Sequence, residues 1–127
     1  MRLKILLPTG VLLDEEIRQV TAESPDGEFC LKPRHIDFVT ALIPGVLMYV
    51  DMDDSEHFLA VDGGILIKQQ DEVGVAARHA VPGELGELEE VVRKMQEDFI
   101  EREKAGRSAS ARLEIGFYKR FLEISGR

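Results

Sequence analysis

Tryptophan is absent, and two tyrosines and six phenylalanines are spread over 127 residues, so the core must rest on Leu, Ile and Val. Cys30 is the single cysteine, which excludes an intramolecular disulfide and fits a reducing compartment. No apolar run approaches the roughly 18 residues needed to span a bilayer. The opening MRLKILLPTGVLLDEE has a short apolar run, but Pro8 and Gly10 break it and no small-residue cleavage site follows, so no signal peptide is expected. Positive charge is scarce: 16 Lys and Arg stand against 24 Asp and Glu, a formal net charge of -8. That balance argues against nucleic acid, which needs clustered cations, and against an anionic membrane surface as direct partner. A soluble cytosolic protein is expected, either one compact body or a small body with an appendage.

What is present divides into two halves. Residues 1 to about 83 read as short segments of alternating or apolar character: RLKIL, IRQVTAE, GEFCLK, GVLMYV, HFLAV, GILIK and EVGVAARHAV. In IRQVTAE, Ile17, Gln19 and Thr21 alternate with Arg18, Val20 and Ala22. Turn residues punctuate the segments at 8–10, 24–27, 51–55 and 62–64, the last read as a hairpin turn between FLAV and ILIK. The pattern predicts an antiparallel β-sandwich of about ten short strands. No helical stretch long enough for a crossover occurs there, which weighs against a parallel α/β sheet.

After Pro82-Gly83 the period changes. Leu85, Leu88, Val92, Met95 and Phe99 recur at three- and four-residue intervals and predict one apolar stripe of a helix. Gly106 is placed to end it, and Ser108 or Ser110 to cap a second helix with Leu113, Phe117, Phe121 and Ile124 on one face. The expected organisation is thus a β-sandwich domain over 1–83 and a C-terminal α-helical hairpin over 84–127. The first helix carries eight acids against four bases, and residues 107–127 carry five bases against two acids. Opposite charge favours antiparallel pairing of the two helices, and equally lets the basic one meet another acidic surface. Solvated faces with weak cross-helix pairs, each worth about 0–1 kcal/mol, explain the pattern as well.

CLKPRHID gathers Cys30, His35, Asp37 and two cations within eight residues. A metal site is not expected, because His35, His57 and His79 lie in separate segments and no CxxC or helical i, i+4 histidine pair occurs. Cys30, between Phe29 and Leu31, reads as a small apolar residue turned inward or half covered. Asp62-Gly63-Gly64 lacks the lysine and helix start of a phosphate loop. The residues alone therefore describe an acidic β-sandwich with a helical hairpin and no active site, such as a binding or regulatory subunit. Two alternatives stay open: a small thiol/histidine enzyme using Cys30, His35 and Asp37, and a free-standing β-sandwich binding module that takes peptides.

The run DGEFCLKPRHIDFVTALIPGVLMY resembles the signature of the epsilon subunit of F-type ATP synthases (delta in mitochondria), matching at Gly27, Glu28, Pro33, His35, Thr40, Leu42, Pro44 and Gly45. FLAVDGGIL resembles a second family run at Phe58, Val61, Gly63, Gly64 and Leu66. The opening MRLKILLPTGVLLDEE, CLKPRHIDFVTALIPG and the closing ARLEIGFYKRFLE look like the alternate N-type rotary ATPases, bacterial enzymes associated with sodium coupling.

The resemblance implies a non-catalytic central-stalk subunit that links the gamma subunit to the loops of the c ring and couples ion flow to ATP synthesis or hydrolysis. It implies a peripheral location on the cytoplasmic face of the bacterial inner membrane, without membrane insertion. It places Glu28, Lys32, Pro33, Arg34 and His35 at the c-ring and gamma interface, and reads Pro44 and Gly45 as shaping the turn into the next strand. The hairpin is implied to extend toward the catalytic alpha and beta subunits and block rotation, with Arg112, Lys119 and Arg120 contributing. Relatives that hold ATP on the hairpin carry [Ile/Leu]-Asp-x-x-Arg-Ala. LEEVVRK offers Glu90 and Arg93 at that interval, but Glu89 and Lys94 replace the apolar residue and the alanine. That departure weighs against ATP, and no cofactor is expected.

Overall fold

Three strands of 14 or 15 residues dominate the fold, where short ones were expected. A computed structural model describes residues 1–104. The second helix expected over 107–127, with Arg112, Lys119 and Arg120, lies outside the described residues. Among those described there are seven strands: β1 (Arg2–Leu7), β2 (Gly10–Ser24), β3 (Gly27–Leu31), β4 (Phe38–Asp51), β5 (Glu56–Gln69), β6 (Glu72–Ala76) and β7 (Ala80–Gly83). Among the same described residues there is one helix, α1, spanning 85–104. Contacts divide the chain into two compact units, Met1–Gln96 and Glu97–Arg127.

The strand order β1-β6-β5-β4-β2-β3 is joined by a β1–β2 pairing, so the sheet path returns on itself in a barrel-like closure. The first half of β2 pairs β1, and its second half pairs β4 and β3. Likewise β5 borders β7 along its first half and β6 along its second, while β4 runs beside it throughout. Long bent strands thus serve both layers. The sheet is not wholly antiparallel: β1 and β6 run parallel, because β1 uses its second edge on a strand distant in sequence.

Two expected breaks turn out to be bends inside strands. Pro44 and Gly45 lie within β4, paired with Asp62 and Val61, and Gly63 and Gly64 follow directly in β5, with Gly64 paired to Leu42. Proline withholds an N–H from the ladder, and Gly63 (φ 75°) and Gly64 (φ 139°) take backbone angles that side chains resist. A Cβ on Gly64 would also collide with the Ala76 carbonyl oxygen at the end of β6. The glycines therefore kink β5 and admit β6, and they do not reverse the chain. The turns at 8–10, 24–27 and 51–55 are real. In the last, Asp51 Oδ1 accepts the Asp53 and Ser55 N–H groups at 2.8 and 3.0 Å.

The core between the layers is Leu, Ile and Val, as the scarcity of aromatics required: Leu3, Ile5, Ile17, Val20, Leu47, Leu66, Val73 and Val75 are all buried. Burying each such side chain contributes about 1.5–3 kcal/mol. In β2 the register shifts between Ile17 and Gln19. The irregularity switches the inward phase, so Val20 and Ala22 follow Ile17 into the core where simple alternation puts them on opposite faces. Outside the sheet, Leu88 and Val92 of α1, with Val91 and Met95, cover Ala60, Val46 and Phe58. Leu85, expected on the stripe, is exposed. Gln96 Nε2 donates to the Pro44 carbonyl at 3.3 Å, giving the bend in β4 a partner.

Candidate functional site

The chain leaves β3 at Leu31 and re-enters the sheet at Phe38, and the link 32–37 forms an exposed rim loop. It contains four of the five expected interface residues: Lys32, Pro33, Arg34 and His35. The loop is built, not loose. The His35 N–H donates to the Lys32 carbonyl at 2.9 Å, closing a turn around Pro33-Arg34. His35 Nδ1 meets the Ile36 carbonyl at 2.8 Å, and its ring stands edge-on to Phe38, which in turn leans on Phe29. Asp37 Oδ1 accepts the Gln70 N–H at 2.8 Å, tying the loop to the turn between β5 and β6. His35 is thus a structural residue of the loop, and Lys32, Arg34 and Ile36 are offered outward, Ile36 at 78 % exposure.

Beside the loop lies a feature that the sequence reading missed. Val39 pairs with Ile67 and Ala41 with Ile65 across β4 and β5. The second row continues from Ile65 to Ala76, Leu6 and Val11 on β6, β1 and β2. All of these side chains are exposed: Val39 67 %, Ile65 53 % and Ile67 46 % among them. Five strands spaced about 4.8 Å apart make this row roughly 19 Å wide. The neighbouring row through Ile67 passes Gly74 to the exposed Lys4 and Asp14, so charge borders the apolar row on that side. Contiguous exposed apolar surface of this kind marks a docking site.

Glu28 does not join the rim loop. It sits exposed near the start of β3, beside the Ser24–Gly27 turn, where Ser24 Oγ donates to the Gly27 carbonyl and accepts the Asp26 N–H. An extended strand separates Glu28 from Lys32 by roughly 13 Å. The five residues therefore form two patches at opposite ends of β3. Cys30 is exposed on β3, not turned inward, because Leu31 takes the core position. Among the described residues no hydrogen bond joins Cys30, His35 and Asp37, and the last two are engaged elsewhere as given above.

A second polar cluster lies at the far end of β4 and β5. His57 Nε2 pairs with Asp51 Oδ2 at 2.7 Å, and the imidazole stacks on Tyr49. That hydrogen bond, followed by the Ser55 N–H, holds the Asp51 carboxyl below its ordinary range. Burial, then the nearby Glu15 carboxylate, pushes the Tyr49 hydroxyl up. An open cleft of ≈ 320 Å³ lies alongside, lined by Leu12, Tyr49, His57, Phe58 and Pro82 among others. On α1, Glu90 and Arg93 form an exposed ion pair with each other. Among the described residues, no three His, Cys, Asp or Glu side chains converge to hold a metal, and no helix is long and apolar enough to cross a membrane.

Comparison with known proteins gives a consistent result. Residues 1–83 match the family described as ATP synthase, Delta/Epsilon chain, beta-sandwich domain. The chain is 34 % identical to ATP synthase epsilon chain 2 of Cereibacter sphaeroides over 116 residues, covering 89 % of this chain and 80 % of that one. Identity to the ATP synthase epsilon chain of Desulfosudis oleivorans is 30 % over 116 residues, with 91 % and 79 % covered. Among solved structures, a chain of the Euglena gracilis mitochondrial ATP synthase OSCP/F1/c-ring assembly superposes with TM-score 0.61 at 20 % identity, covering 72 % of this chain and 61 % of that one. A chain of the Tetrahymena thermophila central stalk/c-ring assembly gives TM-score 0.54 at 14 % identity, with 63 % and 64 % covered. At those identities the superpositions speak for a shared fold.

Proposed function

The chain belongs to the delta/epsilon chain family of ATP synthases, and from that premise we propose that it is a non-catalytic central-stalk subunit of a rotary ATP synthase. The observation that carries the reading is the bare apolar row Ala41, Ile65, Ala76, Leu6 and Val11, with Val39 and Ile67 beside it. A soluble protein keeps such a face when a lasting partner covers it. The gamma subunit is that partner in our reading, with the adjoining loop 32–37 as the polar rim of the contact. Glu28 and the turn before it, at the other end of β3, face the c-ring loops. The subunit then turns with gamma and the ring and helps couple ion flow to ATP synthesis or hydrolysis, at the cytoplasmic face of the bacterial inner membrane.

Co-purification tests this. The tagged full chain should bring down gamma and the catalytic head from cells that make the whole enzyme. Recovery of the chain without gamma overturns the proposal, and turnover of a metabolite by the chain alone would favour the thiol/histidine enzyme instead. Truncation after residue 104 separates two occupants of the apolar row. Gamma binding should persist; binding that appears on truncation alone would mean that the chain's own tail covers the face.

Two finer assignments complete the proposal. The division into a sandwich over 1–83 and a hairpin arm over 84–127 is functional: the arm reaches the alpha and beta subunits and restrains hydrolysis through Arg112, Lys119 and Arg120. Deleting residues 105–127 should raise ATP hydrolysis by the assembled enzyme, and an unchanged rate would reject the inhibitory role. Placement in the N-type branch draws support from two relatives named epsilon chain 2. Sodium or proton specificity would reside in the c ring. Glu89 and Lys94 depart from the ATP-holding pattern, so the arm works without bound nucleotide.

A further inference from the structure

Lys68 is 1 % exposed, and it stands in β5 between two exposed residues, Ile67 and Gln69. A buried ammonium is costly unless its N–H groups find acceptors. Here Nζ donates to the His35 carbonyl at 2.7 Å and to the Gln70 carbonyl at 2.6 Å. The first acceptor belongs to the rim loop. The second belongs to the β5–β6 turn, whose Gln70 takes a left-handed backbone (φ 54°) and gives its N–H to Asp37. Loop and turn are therefore joined in a closed circuit: Lys68 to His35, along the chain to Asp37, across to Gln70 and back to Lys68.

We propose that Lys68 is a positioning residue, a buried cation that holds the rim loop 32–37 in its docking shape before any partner arrives. Its link to docking rests on the gamma-facing reading given above; the clamp itself does not. Lysine suits the task because a long, bendable stem reaches from the sheet interior while three rotating donors serve acceptors on two separate segments. A loop ordered in advance loses less conformational freedom on binding, so the partner is held more tightly without any added contact.

The first measurement needs only the free full chain. Hydrogen exchange of the amides in 32–37 and 70–72 should be about tenfold faster or more in Lys68→Met, as expected when charge-assisted hydrogen bonds are removed. Amides of β1, β2 and β4 should stay protected. Asp37→Ala opens the same circuit from an exposed position and should reproduce the effect even if the buried methionine unsettles the fold. Unchanged exchange of the loop in both variants overturns the clamp.

The second measurement is gamma affinity. Each single variant should bind gamma roughly tenfold more weakly, and the double variant hardly more weakly than either single one, because both break one circuit. Additive losses, or none, overturn the link to docking. Should the unmodified chain fail to bind gamma at all, the rotor reading falls and the clamp is judged on exchange alone.

Discussion

The outward faces of the β4–β5 pair differ from one half to the other. In the first half of β5, Phe58 and Ala60, with Val46 of β4, lie under α1 against Leu88 and Val92. In the second half, Ile65 and Ile67, with Val39 of β4, have no described element over them and are about half exposed or more. The same two strands therefore present apolar side chains outward at both ends and receive cover from within the chain at one end. Under α1 the burial stabilises the fold; on the bare half the same kind of side chain contributes little until something docks. In the docking reading proposed above, one strand pair carries a stability face and a recognition face in series.

The largest expected effect breaks the recognition half. Ile65→Glu places a carboxylate in the middle of the bare row, and affinity for gamma in a pull-down or titration should fall by about a hundredfold or more. The melting temperature of the isolated chain should hardly move, since the residue is already in water. Next, Leu88→Ala opens a cavity under α1 and should lower unfolding stability by about 2–3 kcal/mol in urea melts. Gamma affinity per folded chain should be unaffected, and a loss there would mean the two halves are not separate.

The smallest effect sharpens the contrast at the distal turn. His57 and the turn N–H groups depress the Asp51 carboxyl. A group depressed on folding adds stability above its unfolded value, about 3.9, and that contribution disappears as pH falls through the lower folded value. Asp51→Asn should therefore lower the melting temperature modestly at pH 7, with the gap from the unmodified chain closing in acid. Gamma affinity should stay the same.

Much of this was legible from residue pattern, and each failure has its own physical cause. Leu88, Val92 and Met95 stood out because a surface helix shows its buried stripe as a period. Strand content was visible for the same reason, in periods of two. The GILIKQQ segment misleads because Ile65, Leu66 and Ile67 are apolar on both faces, so alternation cannot say which side is inside. The structure turns Leu66 and Lys68 inward and the two isoleucines out, so Lys68 and the isoleucines take the sides that their polarity argues against. Gly63-Gly64 misleads differently: positive φ serves a hairpin and a kink alike, and the pairing with β4 decides between them. The register shift beside Ile17 has no marker residue at all. Glu28 and Lys32, close in sequence, become distant because the strand between them is extended.

The kink at Gly63-Gly64 has a mechanical consequence. Because the backbone of β5 passes unbroken from the covered half to the bare half, a tangential load on Ile65 runs along peptide bonds into the part of the strand gripped by α1. A layered body whose sheets met through side chains alone would shear at that seam. A body threaded by continuous strands must twist as a whole, which is the stiffness a turning shaft demands of its collar.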